Sequence, residues 1–214
     1  MSLFHSFLLG IVQGLTEFIP VSSTAHLLLV QYLLKIDPTG PGVFAFNVLV
    51  QLGTLAALIV YFRTDLLAIA RAWLTALAHR KPFENPQACL AWYLILGTLP
   101  ALAAGVIFKP LVEWLFRTQI LEALIRLGLT VTLLVVAELT GKRNRNFESI
   151  RWKDALWIRC VQILAVFPGA SRSGSTIAGG VTRNLDRPAA ARFAFLLSVP
   201  LMLAAGTYKA LDLI

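Results

Sequence analysis

Gln13-Gly14-Leu15-Thr16-Glu17-Phe18-Ile19-Pro20-Val21-Ser22-Ser23-Thr24-Ala25-His26 lies inside a stretch, Leu3 to Leu34, that is apolar at both ends. A carboxylate, a proline, three hydroxyls and a histidine interrupt what would otherwise read as one spanning helix. A second stretch, Asp154 to Leu185, has the same form and is broken by Pro168-Gly169-Ala170-Ser171-Arg172-Ser173-Gly174-Ser175-Thr176. Each stretch is 32 residues long, too long for one helix across ~30 Å of hydrocarbon and too short for two full spans and a turn. Two half-length helices around a polar tip fit that length, against the alternative of a single span kinked at Pro20 or Pro168. A re-entrant tip leaves irregular backbone at membrane depth, which is tolerated only where it is buried in protein or lines a wet cavity.

Outward from these tips the chain is mostly apolar runs. Gly42 to Phe62 and Ala88 to Phe108 are 21 residues each without a charge, and Gln119 to Thr140 and Pro188 to Tyr208 are further candidate spans. Over 214 residues, 57% are hydrophobic and 14% charged, with mean hydropathy +0.74. Soluble domains carry about 45–50% apolar and about 25% charged residues, so the composition excludes disorder, and the two uncharged runs of 21 residues exclude a soluble ligand-binding bundle. No period-2 alternation points to a barrel. The net charge of +8 sits in short stretches between apolar runs, where it reports orientation and headgroup contact rather than nucleic acid. Cys89 and Cys160 lack ligand-like spacing and read as buried bystanders. Met1 to Leu15 has no basic leader and no cleavage site, and reads as mature sequence.

The two interrupted stretches match at an offset of 149 residues: Val12, Gln13, Leu15, Phe18 and Ser22 fall on Val161, Gln162, Leu164, Phe167 and Ser171. The same offset carries Phe44-Ala45-Phe46 onto Phe193-Ala194-Phe195, which argues for an internal duplication. One hairpin and three spans separate the repeat starts, so the second copy is expected upside down. The predicted fold is therefore all-α: one integral membrane domain, 1–214, a polytopic helical bundle with two inverted-topology repeats, about 1–150 and about 151–214, each containing a re-entrant helical hairpin. The second repeat then lacks two spans, which predicts either a fragment or a variant that has shed them. The positive-inside rule places the basic loops Arg63 to Gln87 and Gly141 to Arg159 in the cytoplasm, with Trp73, Trp114, Trp152 and Trp157 as interfacial anchors.

Gln13 and Glu17 are four apart and share a helical face. A charge at the centre of a membrane helix costs about 2.5–3.5 kcal/mol on insertion scales, so Glu17 needs a partner, a proton or a function. Pro20 ends the first half-helix, and Ser22, Ser23 and Thr24 are placed to cap the next, aiming free N–H groups at an anion. His26 follows within one turn as a candidate acid or base. In the second tip Arg172 offers a planar fork for phosphate among the hydroxyls of Ser171, Ser173 and Thr176 and the flexible Gly169. This is a phosphate cradle without the G-x-x-x-x-G-K-[ST] of a P-loop.

With Gln13-x-x-x-Glu17, Pro20-Val21-Ser22-Ser23-Thr24-Ala25-His26 and Pro168-Gly169-Ala170-Ser171-Arg172-Ser173-Gly174-Ser175-Thr176, the chain resembles the undecaprenyl-diphosphate phosphatase, or bacitracin-resistance, family of bacterial inner membranes. The resemblance implies hydrolysis of undecaprenyl diphosphate to undecaprenyl phosphate and phosphate, recycling the lipid carrier of cell-wall synthesis. It implies a divalent cation, magnesium or alternatively calcium, held by Glu17 and Gln13, and a site facing the periplasm. It puts catalysis on Glu17, Ser23 and His26, and diphosphate binding on Ser171, Arg172, Ser173 and Thr176; the reading of the residues adds Arg172 to the catalytic set and Ser22, Thr24 and Gly169 to the binding set. Ser23, His26 or water remains open as nucleophile, and a homodimer remains open as the assembly. A polyprenyl-phosphate flippase is the alternative, since inverted repeats with broken helices are a transport architecture. The acid-phosphatase-like lipid phosphatases are set aside because Ala178 stands where their histidine would follow Ser171-Arg172.

Overall fold

The computed structural model describes residues 1–38, 40–115, 119–163 and 171–211. These are helical almost throughout: α1 (Leu3–Phe18), α2 (Ser23–Leu33), α3 (Pro41–Tyr61), α4 (Arg63–Ala78), α5 (Pro86–Leu115), α6 (Gln119–Thr140), α7 (Trp152–Ile163), α8 (Arg172–Thr182) and α9 (Arg187–Leu211). Leu164, Phe167, Pro168 and Gly169 lie outside the described residues.

Among the described residues, three helices are long and apolar enough to cross a membrane, over Gly42–Tyr61, Ala123–Thr140 and Arg187–Thr207. They are the expected spans on α3, α6 and α9, and the chain is an integral membrane protein. The expected run 88–108 falls inside α5, which at 30 residues is about 45 Å long.

α1 stops where the residue before a proline is disfavoured in helical geometry; Ile19, before Pro20, is extended at φ −80°, ψ 135°. Ser22 then takes a left-handed φ of 66°, and α2 packs against α1. α7 and α8 pack in the same way. The 149-residue offset recurs in this geometry. It carries Leu3 onto Trp152 and the bounds of α2 onto those of α8. It also carries Lys35, φ 54°, onto Asn184, φ 64°. Each of these left-handed residues closes its helix through the next amide, Ile36 N to Gln31 O at 2.9 Å and Leu185 N to Gly180 O at 3.2 Å.

α9 is the centre of the core. In its spanning window 61% is buried, against 28% for α3 and 17% for α6, so those two show most of their surface outward. Phe193, Leu196 and Leu197 on α9 are fully buried and share one cluster with Leu55, Leu58, Leu94 and Ile158. α8 lies close against α9 because Gly180 has no side chain; a Cβ there would meet the Ala190 Cβ at 2.8 Å.

Three expectations are corrected. Arg63 to Gln87, read as a loop, begins with α4, where Leu66, Ile69, Trp73 and Ala76 recur at helical spacing and turn into the protein. Trp73 is consequently packed edge-on against Trp92, with ring centroids 5.6 Å apart, and is not an interfacial anchor; Trp152 and Trp157 are exposed, and the Trp114 side chain lies outside the described ones. Cys160 is exposed and Cys89 half-buried. The inward face of α7 is set by Ala155, Ile158, Arg159 and Gln162, which leaves Cys160 on the opposite side.

The basic segment after α6 is strapped to the α8–α9 turn. Asp154, in the first turn of α7 and 1% exposed, accepts from Arg145 Nη1 at 3.1 Å and Nη2 at 2.7 Å, from Arg183 Nε at 2.9 Å and from the Arg151 amide at 3.0 Å. Burial pushes its carboxyl up, but the Arg145, Arg151 and Arg183 hydrogen bonds outweigh that and hold it at about 2. A carboxyl depressed from ~3.9 to this level stabilises the fold by about 2 to 3 kcal/mol above pH 4, and the stabilisation is lost as pH falls from 4 towards 2. Asp154→Asn is therefore expected to lower the melting temperature in detergent at pH 7 and to flatten its fall across that acid window. An unchanged acid profile would show that this carboxylate does not hold the strap.

Candidate active site

The two tips meet on one carboxylate. Glu17, in the last turn of α1, has a side chain 9% exposed and forms an ion pair with Arg172 Nη2 through Oε1, across 155 residues of sequence. Its other oxygen accepts from Gln13 Nε2 at 3.0 Å and from Ser23 Oγ at 2.5 Å. Four of the expected residues thus converge, because α1 ends and α2 and α8 begin at this point.

The hydroxyls of α2 divide differently from the expectation. Ser22 is the N-cap residue, but its left-handed backbone leaves no side-chain cap bond, and Ser23 spends its hydroxyl on Glu17. Thr24 is exposed. His26 Nδ1 lies 2.9 Å from Ser22 O; this commits Nδ1 as donor and leaves Nε2 as the ring acceptor. In α8 the corresponding serine does cap: Ser171 Oγ accepts from Gly174 N at 3.1 Å and lies 3.1 Å from Ser173 Oγ. Ser173 Oγ in turn lies 3.5 Å from the Glu17 carbonyl. Thr176 returns its hydroxyl to Arg172 O at 2.9 Å and Ser173 O at 3.1 Å, so it stiffens the first turn of α8. The Gly169 expectation lies outside the described residues.

Gly174 is what lets the tips touch. A Cβ there would meet Thr130 Cγ2 at 2.9 Å and the Pro20 carbonyl at 3.3 Å. Thr130, 2% exposed on α6, was not among the expected site residues. Its Oγ1 accepts the Ser171 amide at 2.8 Å and donates to Arg126 O at 2.7 Å. A threonine in the middle of an apolar run carries no mark of its partner, so only its polarity in a spanning helix could have singled it out.

Several buried polar atoms at the site have no hydrogen-bond partner among the described residues: Gln13 Oε1, Arg172 Nε and Ser175 Oγ. Buried polar groups are normally satisfied, and exceptions call for an occupant. Here they comprise an acceptor beside a carboxylate, and a guanidinium N–H and a hydroxyl at the start of a helix. The first suits a cation and the others an anion. No group of three or more His, Cys, Asp or Glu ligands occurs among the described residues, so any cation held here takes most of its shell from elsewhere.

A family profile described as Bacitracin resistance protein BacA matches residues 6–214. Among curated proteins, the chain is 46% identical over 209 residues to the undecaprenyl-diphosphatase of Anaeromyxobacter sp. (strain Fw109-5), covering 98% of this chain and 68% of that one. It is 44% identical over 214 residues to the protein of the same name from Thioalkalivibrio sulfidiphilus, covering 100% of this chain and 78% of the relative. The corresponding figures for Chlorobaculum tepidum are 41% over 212 residues, 96% and 74%.

Proposed function

Since the chain belongs to the BacA family of bacitracin resistance proteins, we propose that it hydrolyses undecaprenyl diphosphate to undecaprenyl phosphate and inorganic phosphate, and so recycles the lipid carrier and supports resistance to bacitracin. The observation that carries this reading is the Glu17–Arg172 pair, with Gln13 and Ser23 on the same carboxylate. It puts a phosphate fork, a hydroxyl and an acid–base group within one contact shell.

Arg172 Nε has no partner among the described residues, and this donor, with Nη1 and the amides of Arg172 and Ser173 at the start of α8, binds the terminal phosphate and stabilises the charge that builds on it. Ser23 already points its proton at Glu17 Oε2. Attack of Ser23 Oγ on the terminal phosphorus passes that proton to Glu17, forms the Oγ–P bond and breaks the bridging P–O bond, releasing undecaprenyl phosphate. Water then displaces Oγ, giving its proton to His26 Nε2 while Glu17 returns the first proton to Ser23, and phosphate leaves. Ser22, Ser171 and Ser173 shape the cradle, with Thr24 at its exposed edge. The donor set fits a divalent cation such as magnesium: Gln13 Oε1, without a partner among the described residues, and the Glu17 carboxylate would hold it as hard oxygen ligands. When bound, that cation would neutralise charge on the diphosphate oxygens.

The same reading places the chain in the bacterial inner membrane with two inverted repeats, each entering the bilayer as a helical hairpin. Support comes from the recurring helix bounds and C-terminal caps, from hairpin helices of 11 to 16 residues, shorter than the roughly 20 residues a span needs, and from an odd number of spans between the copies when the uncharged run inside α5 is counted with α3 and α6. The exposed basic ends of α3, α6 and α7 then face the cytoplasm, and the tips open to the periplasm.

The test is reconstitution with a polyprenyl diphosphate and magnesium. Stoichiometric phosphate release is expected; lipid movement between leaflets with no phosphate released would instead establish the flippase. Thr130 supplies a finer check. Thr130→Val keeps the shape but orphans the buried Ser171 amide, at a cost of about 1–3 kcal/mol, so turnover is expected to fall at least tenfold while Thr130→Ser stays within about threefold of the parent. Equal turnover in both variants would remove Thr130 from the site.

A further inference from the structure

At the base of the second hairpin, where α7 begins and α8 ends, lies a cavity of about 450 Å³. Four cations line it, Arg145, Arg151, Lys153 and Arg183, against the two carboxylates Glu148 and Asp154. Asp154 is consumed by Arg145, which grips it with both Nη groups, and by Arg183 Nε. Those bonds hold the Arg183 guanidinium at the wall. Arg183 holds Asp154 through Nε, and the Arg151 side chain and the Lys153 ammonium have no carboxylate partner among the described residues.

The mouth of this cavity carries the marks of headgroup depth. Trp152 and Trp157 beside it are 57% and 48% exposed, as interfacial indoles are. Lys153 Nζ lies 5.6 Å from the Trp152 ring centroid, and Trp157 Nε1 donates to Thr182 Oγ1 at 2.9 Å, which fixes that indole next to Arg183. Leu156 and Cys160 continue the exposed face of α7, an apolar track for an acyl chain leading away from the cations.

We propose that this cavity binds the phosphate headgroup of an anionic membrane phospholipid, at a site separate from the tips. The 11 residues of α8 put Arg183 about 16 Å from Arg172 along the helix, so a headgroup here does not touch the catalytic cradle. It braces the base of the hairpin that presents Arg172. A ligand that binds the folded state alone raises its stability by mass action, which gives a readout independent of lipid hydrolysis.

The chain in dodecyl maltoside is titrated with dioctanoyl phosphatidylglycerol, with dioctanoyl phosphatidylcholine, or with sodium phosphate, while the melting temperature and tryptophan fluorescence are followed. Saturable stabilisation is expected with the glycerol lipid alone. The double substitution Arg151→Gln with Lys153→Gln removes two exposed cations, of which Lys153 touches only the exposed Trp152 ring, and is expected to weaken the apparent affinity about 25-fold, about fivefold for each cation. An equal rise with the choline lipid would mean that acyl chains alone are bound. An equal rise with sodium phosphate would mean an adventitious ion only, and an unchanged affinity in the double variant would put the lipid elsewhere. Each of these three results overturns the proposal.

Discussion

Arg172→Lys is expected to fold and yet lose phosphate release by at least a hundredfold. Lysine retains a cation for Glu17, so the ion pair that ties the tips together survives. What it lacks is the planar fork: Nε, which has no partner among the described residues, and Nη1 beside it have no counterpart on an ammonium. Hydrogen bonds to charged groups are worth about 1.5–3 kcal/mol each, and two of them lost from the transition state correspond to a factor of about 10² to 10⁴. Arg172→Ala gives a less informative result, because stripping the cation from a nearly buried carboxylate costs about 3–5 kcal/mol in stability and mixes folding with function. The measurement is single-turnover phosphate release at saturating lipid, with the melting temperature of each variant beside it. If the lysine variant stays within threefold of the parent, the guanidinium is a structural bridge and the cradle lies elsewhere.

Glu17→Gln is the second large effect, expected at about a thousandfold in turnover. The amide is the same size and still accepts from Gln13 or Ser23, but it takes no proton from Ser23 Oγ and offers no charge to a cation or to Arg172. General base catalysis alone contributes about 10² to 10⁴. A readout apart from turnover follows from the orphaned Gln13 Oε1: magnesium is expected to raise the melting temperature of the parent and of Arg172→Lys, but not of Glu17→Gln. Retention of the magnesium shift in Glu17→Gln would move the cation to other ligands. Full turnover in that variant would take the proton of the nucleophile away from Glu17, and His26 Nε2 would be the group to examine next.

Much of the helical layout can be read from short stretches of chain. Pro20 fixes the end of α1 through its own ring, and the uncharged run after Gly42 is long enough to be a span whatever surrounds it. The offset that pairs Gln13 with Gln162 and Ser22 with Ser171 was legible for the same reason: residue identity repeats whether or not the contacts do. α4 was legible in principle, since Leu66, Ile69, Trp73 and Ala76 recur at helical spacing, but four basic residues between Arg63 and Lys81 drew the stretch towards a loop. Cys160 was misplaced because a lone cysteine in an apolar run can turn either way. The facing helices decide, and here α5 and α8 take the other side of α7.

The sequence by itself determined the class of fold, the two interrupted stretches and the residue types gathered at each tip, because proline, charge and apolar length act on the chain locally. Only the tertiary structure decided that both tips share one carboxylate, that Ser23 rather than a cap bond takes Glu17, and that Thr130 holds the Ser171 amide. Those contacts join α1, α2, α6 and α8, the Glu17–Arg172 pair across 155 residues and the Thr130–Ser171 bond across 41. They exist because α9 fills the centre of the core and glycine at 174 and 180 removes the side chains that would hold these helices apart.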